Sequence, residues 1–132
     1  MAAGYATGLR NAQLDAITTF IGNAGKLRIY DGTRPATGGS ITTQNLLAEF
    51  TLGSPFASSA SSGALSPTLP SNVNASATGT ASWARIVKSD GTTFCIDLSV
   101  GTSGSDVNLN STSISSGVAV SITSFSITRG NA

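Results

Sequence analysis

The chain has 132 residues, of which 39% are hydrophobic and only 10% charged, and its formal net charge is +1. That length fits one domain with a core of its own, and the short alternating apolar runs argue against disorder, which accompanies high net charge and few apolar residues. The seven basic residues (Arg10, Lys26, Arg28, Arg34, Arg85, Lys88 and Arg129) are scattered, which excludes the clustered basic footprint of a nucleic-acid binder.

The first element expected is a helix from Gly8 to Gly22. Leu14, Ile17 and Ile21 recur at spacings of three and four, with Ala16 and Phe20 beside them. Thr7 is the expected N-cap and Gly22 the expected stop. Thr18 and Thr19 form helix poorly, so this helix needs a surface to lie on. Met1–Thr7 then reads as an arm free to order on a neighbour.

Strands follow. Lys26–Tyr30 alternates, with Leu27 and Ile29 on one face and Arg28 and Tyr30 on the other; Asp31-Gly32 closes it and Thr33–Thr42 is loop. Leu46–Leu52 is the next strand, setting Leu47, Glu49 and Thr51 against Leu46, Ala48, Phe50 and Leu52. Gly63–Leu69 is a weaker strand that Pro67 demotes to an edge or an irregular piece. Ser54–Ser62 and Pro70–Thr80 are rich in Ser, Ala, Asn and Gly and suit long surface loops, either connectors or segments that order on a partner. Val107–Asn110 is a short strand. In Val118–Ile127 the apolar positions are 118, 120 and 122, then 125 and 127, so the phase slips near Thr123-Ser124. A β-bulge or a change of sheet accounts for such a slip. Seven or eight short strands predict an all-β fold, an antiparallel β-sandwich of jelly-roll-like form over residues 26–130, with one N-terminal α-helix.

The hairpin from Ser82 to Gly101 holds the only tryptophan and the only cysteine. A two-residue Asp90-Gly91 loop would pair Arg85 with Ile96 and set a charge in the most apolar face, which is costly. A three-residue loop, Ser89-Asp90-Gly91 with Gly91 left-handed, pairs Lys88 with Thr92, Ile86 with Phe94, Ala84 with Ile96 and Trp83 with Asp97. It gathers Ala84, Ile86, Phe94, Ile96 and Leu98 on one face. Trp83, Arg85, Val87, Cys95, Asp97 and Ser99 take the other, where Arg85 and Asp97 sit diagonally and Trp83 can stack on the guanidinium. This second register is the one expected. Trp83, Arg85 and Asp97, with Tyr30, are therefore candidate interface residues, since Trp and Arg are enriched among binding hot spots. The competing reading covers them with the helix or a loop of the same chain. On the interface reading, Trp83→Ala lowers assembly affinity more than monomer stability.

Catalytic chemistry has little to work with. Without histidine there is no Ser-His-Asp triad, Cys-His pair or imidazole ligand. Cys95 reads as a packing residue, because no cluster of positive charge lowers its pKa. Asp31 and Asp90 each precede Gly-Thr and read as turn residues. Glu49 and Asp97 make only an arbitrary glycosidase pair, and Asp106 with Asn108 is too short an alternation for a calcium loop. No catalytic residue, metal site or cofactor is expected. A lone cysteine forms no internal disulfide, no apolar run nears the roughly 18 residues of a membrane span, and the start lacks the pattern of a secretory signal. These features predict a soluble protein made in a cytoplasm. A carbohydrate-binding module is the main chemical competitor, through Tyr30 or Trp83, although Tyr5, Tyr30 and Trp83 are dispersed.

Three segments carry a family resemblance: the helix start Leu9-Arg-Asn-Ala-Gln-Leu-Asp-Ala-Ile17, the run Leu27-Arg-Ile-Tyr-Asp-Gly-Thr-Arg-Pro-Ala36, and the stretch from Trp83 through Ser99-Val-Gly-Thr-Ser-Gly104 to Ile122-Thr-Ser-Phe-Ser-Ile-Thr-Arg-Gly130. Together they resemble small structural proteins encoded in tailed-bacteriophage genomes. The resemblance covers most of the chain apart from its Ser/Ala-rich middle and carries no catalytic residues. It implies a virion component, by preference a capsid decoration (cement) protein with a jelly-roll-like sandwich, and less favourably a tail-associated protein. The implied partners are the major capsid protein or a tail protein and further copies of the chain as a homo-oligomer, with no nucleic acid, membrane or small-molecule substrate.

Overall fold

The computed structural model describes residues 4–128; residues 1–3 of the expected Met1–Thr7 arm and the last two residues of the expected 26–130 sandwich, Arg129 and Gly130, lie outside them. Helix α1 (Thr7–Ile21) starts one residue early, so Thr7 lies inside the first turn and Ala6, which has no capping side chain, stands at the N-cap. Gly22 ends the helix as expected, at a φ of 72° with its N–H donating to the Thr18 carbonyl, a conformation that costs glycine little. Two polar side chains hold the helix down. Asn11 Oδ1 accepts from the Gly63 N–H at 2.9 Å and Asp15 Oδ1 from the Ala60 N–H at 2.7 Å, while Leu14 and Ile21 are buried.

Among the described residues twelve short strands follow, against the seven or eight expected. They are β1 (Lys26–Tyr30), β2 (Leu46–Thr51), β3 (Ala64–Leu65), β4 (Val73–Asn74), β5 (Gly79–Thr80) and β6 (Trp83–Val87). The rest are β7 (Phe94–Gly101), β8 (Val107–Leu109), β9 (Ser113–Ile114), β10 (Ala119–Val120), β11 (Ile122–Phe125) and β12 (Ile127–Thr128). Six form a sheet in the order β11-β8-β7-β6-β1-β2, and the others pair as β10-β4, β12-β3 and β5-β9. The fold is thus mostly β with one helix. The β7–β8 pair is parallel, a departure from the expected antiparallel sandwich. The Asp106 carboxylate accepts from both the N–H and the hydroxyl of Ser99, which holds the returning chain beside the strand it has just left.

One face of the sheet builds the core. Leu27, Ile29, Ala48, Phe50, Ala84, Ile86 and Leu98 pack with Leu14 and Ile21 of the helix and with Phe56, Leu65, Val120, Phe125 and Ile127. Phe56 meets Phe125 edge-on at 5.8 Å. Residues 54–62 are therefore more than a surface connector: their one aromatic side chain is fully buried, and a single Phe carries enough apolar area to anchor a segment of small residues. Residues 70–80, also expected as loop, contain β4 and β5. Gly63–Leu69 shrinks to β3 plus an isolated Ala57–Pro67 bridge, and Val107–Asn110 ends at Leu109.

Two phase slips are resolved. In the β1–β2 pair the register shifts between Ile29 and Tyr30, so Leu47 is an extra residue and is buried instead of joining Glu49 and Thr51 outside. In the last segment both expected devices operate at once. β11 shifts register against β8 between Ile122 and Ser124, and the chain changes partner from β4 to β8 to β3 as it passes Ser121 and Ser126. Val118 was expected to share the inward phase and is exposed.

Candidate functional site

The hairpin joining β6 and β7 adopts neither register considered from the sequence. Trp83 pairs with Ser99, Ala84 with Leu98, Arg85 with Asp97 and Ile86 with Ile96; the register then shifts, and Val87 pairs with Phe94. The turn chemistry explains the difference. The Asp90 carboxylate accepts from the backbone N–H groups of Thr92 and Thr93 at 2.8 and 2.9 Å and from the Thr93 hydroxyl at 2.5 Å. Thr92 is thereby drawn into the loop, and Lys88 N–H bonds the Thr93 carbonyl at 3.0 Å. These bonds, chiefly those from Thr93, hold the Asp90 carboxyl down at about 2. Gly91 takes the left-handed position as expected, with φ 78°.

The observed register differs from the expected one by two residues, and a shift of two keeps every side chain on its face. Ala84, Ile86, Ile96 and Leu98 therefore point inward, while Trp83, Arg85, Asp97 and Ser99 point to the opposite face, as expected. Phe94 and Cys95 exchange places. Cys95 is the extra residue of a β-bulge and joins Ile96 on the helix side, whereas Phe94 stands beside the Arg85 guanidinium, 5.2 Å from its ring centre.

Four strands contribute one charged rung to that opposite face. Glu49 pairs with Arg28, Arg28 with Arg85 and Arg85 with Asp97. Two arginines side by side would repel, but each has a carboxylate on its outer flank. Arg28 Nε lies 2.7 Å from Glu49 Oε2 in a partly exposed pair. Arg85 has a full set of partners: Nε and Nη2 donate to the two Asp97 oxygens at 2.7 and 3.1 Å, Nη1 donates to the Gly39 carbonyl at 2.8 Å, and the Trp83 ring centre lies 5.2 Å away. Tyr30 stacks on Trp83 with ring centres 4.7 Å apart, and Trp83 Nε1 donates to the Asp31 carbonyl at 3.1 Å.

The other backbone atoms meeting this group, at Gly38 and Gly39, belong to the segment 32–45, which covers this face as a strap. Its tip is Gly38-Gly39. The Gly38 N–H donates to Asp97 Oδ2 at 3.1 Å, φ at Gly38 is 69°, and a Cβ there would lie 3.2 Å from the Phe94 ring. Its neck is closed by Asp31, whose carboxylate accepts from Asn45 N–H at 2.6 Å and Asn45 Nδ2 at 3.2 Å; these bonds lower the Asp31 pKa. Under the strap Trp83 is 2% exposed, Tyr30 6% and Arg85 7%, and the Asp97 side chain is buried with them. Trp83, Arg85 and Asp97 cluster as expected and Tyr30 joins them; a loop of this chain, the strap, covers the group, as the competing reading allowed, and the helix does not. The pair is bonded to itself through Arg85 Nε and Nη2 and holds the strap through Arg85 Nη1 to the Gly39 carbonyl and Asp97 Oδ2 from the Gly38 N–H. The sequence signal for it was the Gly38-Gly39 pair, which lets backbone approach a ring.

A second feature lies on the helix side. Ile17, Phe20 and Ile21 of α1 and the bulge residues Cys95 and Ile96 line an open groove of about 260 Å³. Phe20 is half-exposed, and the Lys88 ammonium stands 4.4 Å from its ring centre. Burial, opposed by Lys88 and assisted by Asp90, pushes the Cys95 thiol up, the direction opposite to that of an activated nucleophile.

The other acids have local partners. Asp106 binds Ser99, and Asn108 bonds Ser105 and Ser124. Among the described residues no group of three His, Cys, Asp or Glu side chains gathers as a metal centre, and no helix is long and apolar enough to cross a membrane. Comparison with protein-family models, curated proteins and solved structures finds no match for this chain.

Proposed function

We propose that this chain is a non-enzymatic structural subunit of a bacteriophage virion, a capsid decoration protein that stabilises an assembled shell through protein–protein contacts and acts as a homo-oligomer. The observation that carries the protein-contact reading is the placement of its functional-looking side chains. The buried ion pair and aromatic stack hold the strap in place, while Phe20 and Leu9 of the helix stand half-exposed. Apolar side chains left at a surface are what a protein partner covers. The virion assignment rests on the sequence resemblance of the helix start, the β1 region and the C-terminal third. Within it, the sheet with its covering helix and ladders is read as a jelly-roll-like sandwich in which the parallel β7–β8 pair is a local departure. A subunit that binds only the assembled shell stabilises it by mass action.

The test is mass spectrometry of purified particles with copy number. Hundreds of copies per particle are the expected result, a handful would move the protein to the tail, and absence would overturn the proposal. A sugar-binding reading would need Tyr30 or Trp83 at the surface, and both are buried.

A further inference from the structure

We infer that the strap is a releasable lid: its Gly38-Gly39 tip occupies, within the chain, a site on β6 and β7 that reads backbone, and a glycine-bearing turn of another protein takes that place when the tip lifts. This goes beyond the reading above, which places partner contacts at the helix.

Three observations carry it. First, the strap is fastened by little. No residue from 32 to 45 is buried, and Ile41, its large aliphatic side chain, is exposed. The neck closes on itself, through Gln44 to the Thr33 carbonyl and Asp31 to Asn45. The tip meets the sheet through the Gly38 N–H to Asp97 and the Gly39 carbonyl to Arg85. Lifting it breaks those two bonds and wets the rings beneath, but leaves the core on the opposite face closed. Segments with few buried apolar contacts open in this local way.

Second, what lies beneath is held without the tip. Arg85 and Asp97 bond each other through Nε and Nη2 and pair across β6 and β7. Trp83 stacks on Tyr30 and donates to the Asp31 carbonyl. An open strap therefore leaves a formed site, with Arg85 Nη1 as donor and Asp97 Oδ2 as acceptor.

Third, the seated tip states the chemistry of an occupant. It offers the N–H of one residue and the carbonyl of the next, both to charged groups, and such bonds are the strong ones. The first of these residues has no room for a side chain, because its φ is 69° and a Cβ would lie 3.2 Å from the Phe94 ring. An occupant without this donor and acceptor would leave Arg85 and Asp97 underbonded, which is costly. A second copy is the poorer occupant. Its own tip is already seated, so an exchange lifts two straps to remake the same bonds, whereas a foreign turn lifts one.

The test uses the full chain, as wild type and as Gly38→Val, with two blocked peptides: acetyl-Ala-Thr-Gly-Gly-Ser-amide, which copies the tip, and acetyl-Ala-Thr-Val-Gly-Ser-amide. The readouts are the NMR signals of Trp83 Nε1–H and Arg85 Nε–H and the acrylamide quenching of Trp83, the only tryptophan. Without peptide, Gly38→Val should be quenched more than wild type while β1 and β6 amides stay protected. The glycine peptide should then shift both signals saturably, restore the shielding, and bind the variant about tenfold more tightly than wild type, whose seated tip competes. The valine peptide should bind about tenfold more weakly than the glycine one. Gly39→Ala is the second variant, since its Cβ would lie 2.8 Å from the Ala36 carbonyl oxygen and disturbs the strap alone; it should behave as Gly38→Val does. In wild type, urea should raise quenching before the far-UV signal of the sheet changes. A single coincident urea transition, no peptide binding to either variant, or equal binding of the two peptides would each overturn the inference. So would signal shifts that follow protein concentration without peptide, which would give the site to a second copy. Absence of the chain from particles would sink the virion reading alone, because the peptide experiment does not depend on it.

Discussion

Arg85 is buried to 7% exposure with a complete set of partners: both Asp97 oxygens, one strap carbonyl and the Trp83 and Phe94 rings. Removing one member strands the other in a dry place. Asp97→Ala is therefore expected to lower stability by about 3–5 kcal/mol, measured by urea unfolding, whereas Arg85→Met combined with Asp97→Leu should cost much less than Asp97→Ala. Equal losses would show that the pair is not desolvated. Trp83→Ala removes the Tyr30 stack, one wall of the Arg85 site and the bond to Asp31, and should cost about 3–5 kcal/mol in the same assay. The loss belongs to the monomer, in contrast to the interface expectation for this residue. The sequence made the association of Trp83, Arg85 and Asp97 legible through alternation alone. What covers them was not legible, because the strap contacts them with backbone atoms of two glycines, which leave no side-chain pattern to read.

At the scale of elements, the β6–β7 turn and the strap are the two pieces that local chemistry controls. The Asp90 carboxyl titrates at about 2 in the folded hairpin against an ordinary value of 3.8. The turn is thus favoured fully above pH 3.8, and that contribution is lost as pH falls through about 2. The amide signals of Thr92 and Thr93 should move together over this range, and Asp90→Ala should remove the titration and weaken the turn at neutral pH. For the strap, Gly38→Val adds a branched side chain at a φ of 69°, beside Phe94. A loss of about 1–3 kcal/mol and a red shift of Trp83 fluorescence are expected as the tip lifts; an unshifted spectrum would mean that the strap does not depend on its tip. Strand existence was readable wherever five or more residues alternate, as in β1, β2 and β7. Of the two-residue ladders, β3 and β10 fall inside the expected strands Gly63–Leu69 and Val118–Ile127, whereas β4, β5 and β9 were not readable, because they are defined by partners far along the chain. The bulges at Leu47 and Cys95 were missed for a related reason. Each adds a residue where a neighbouring element has room for it, and that room is a tertiary property.

Across the whole molecule, stability should be graded. β6 is buried along its full length between β1 and β7, whereas the paired ladders expose alternate residues. Hydrogen exchange is expected to be slowest at β1, β6 and β7, faster in the β5–β9 and β4–β10 pairs, and fastest in the strap's outward amides. Uniform protection would show that the ladders and the sheet open only together. Groove and strap lie on opposite faces of this slow centre, and the two meet at β7. There Phe94 and Asp97 serve the strap, Cys95 and Ile96 serve the groove, and Cys95 has no rung of its own. Chain length and ladder length are consequently uncoupled at that one position. A protein with residue 95 deleted could still match Val87 to Phe94 and Ile86 to Ile96. A lineage can therefore gain or lose a residue there and reshape the groove for a new neighbour while the buried ion pair, two residues on, keeps its place.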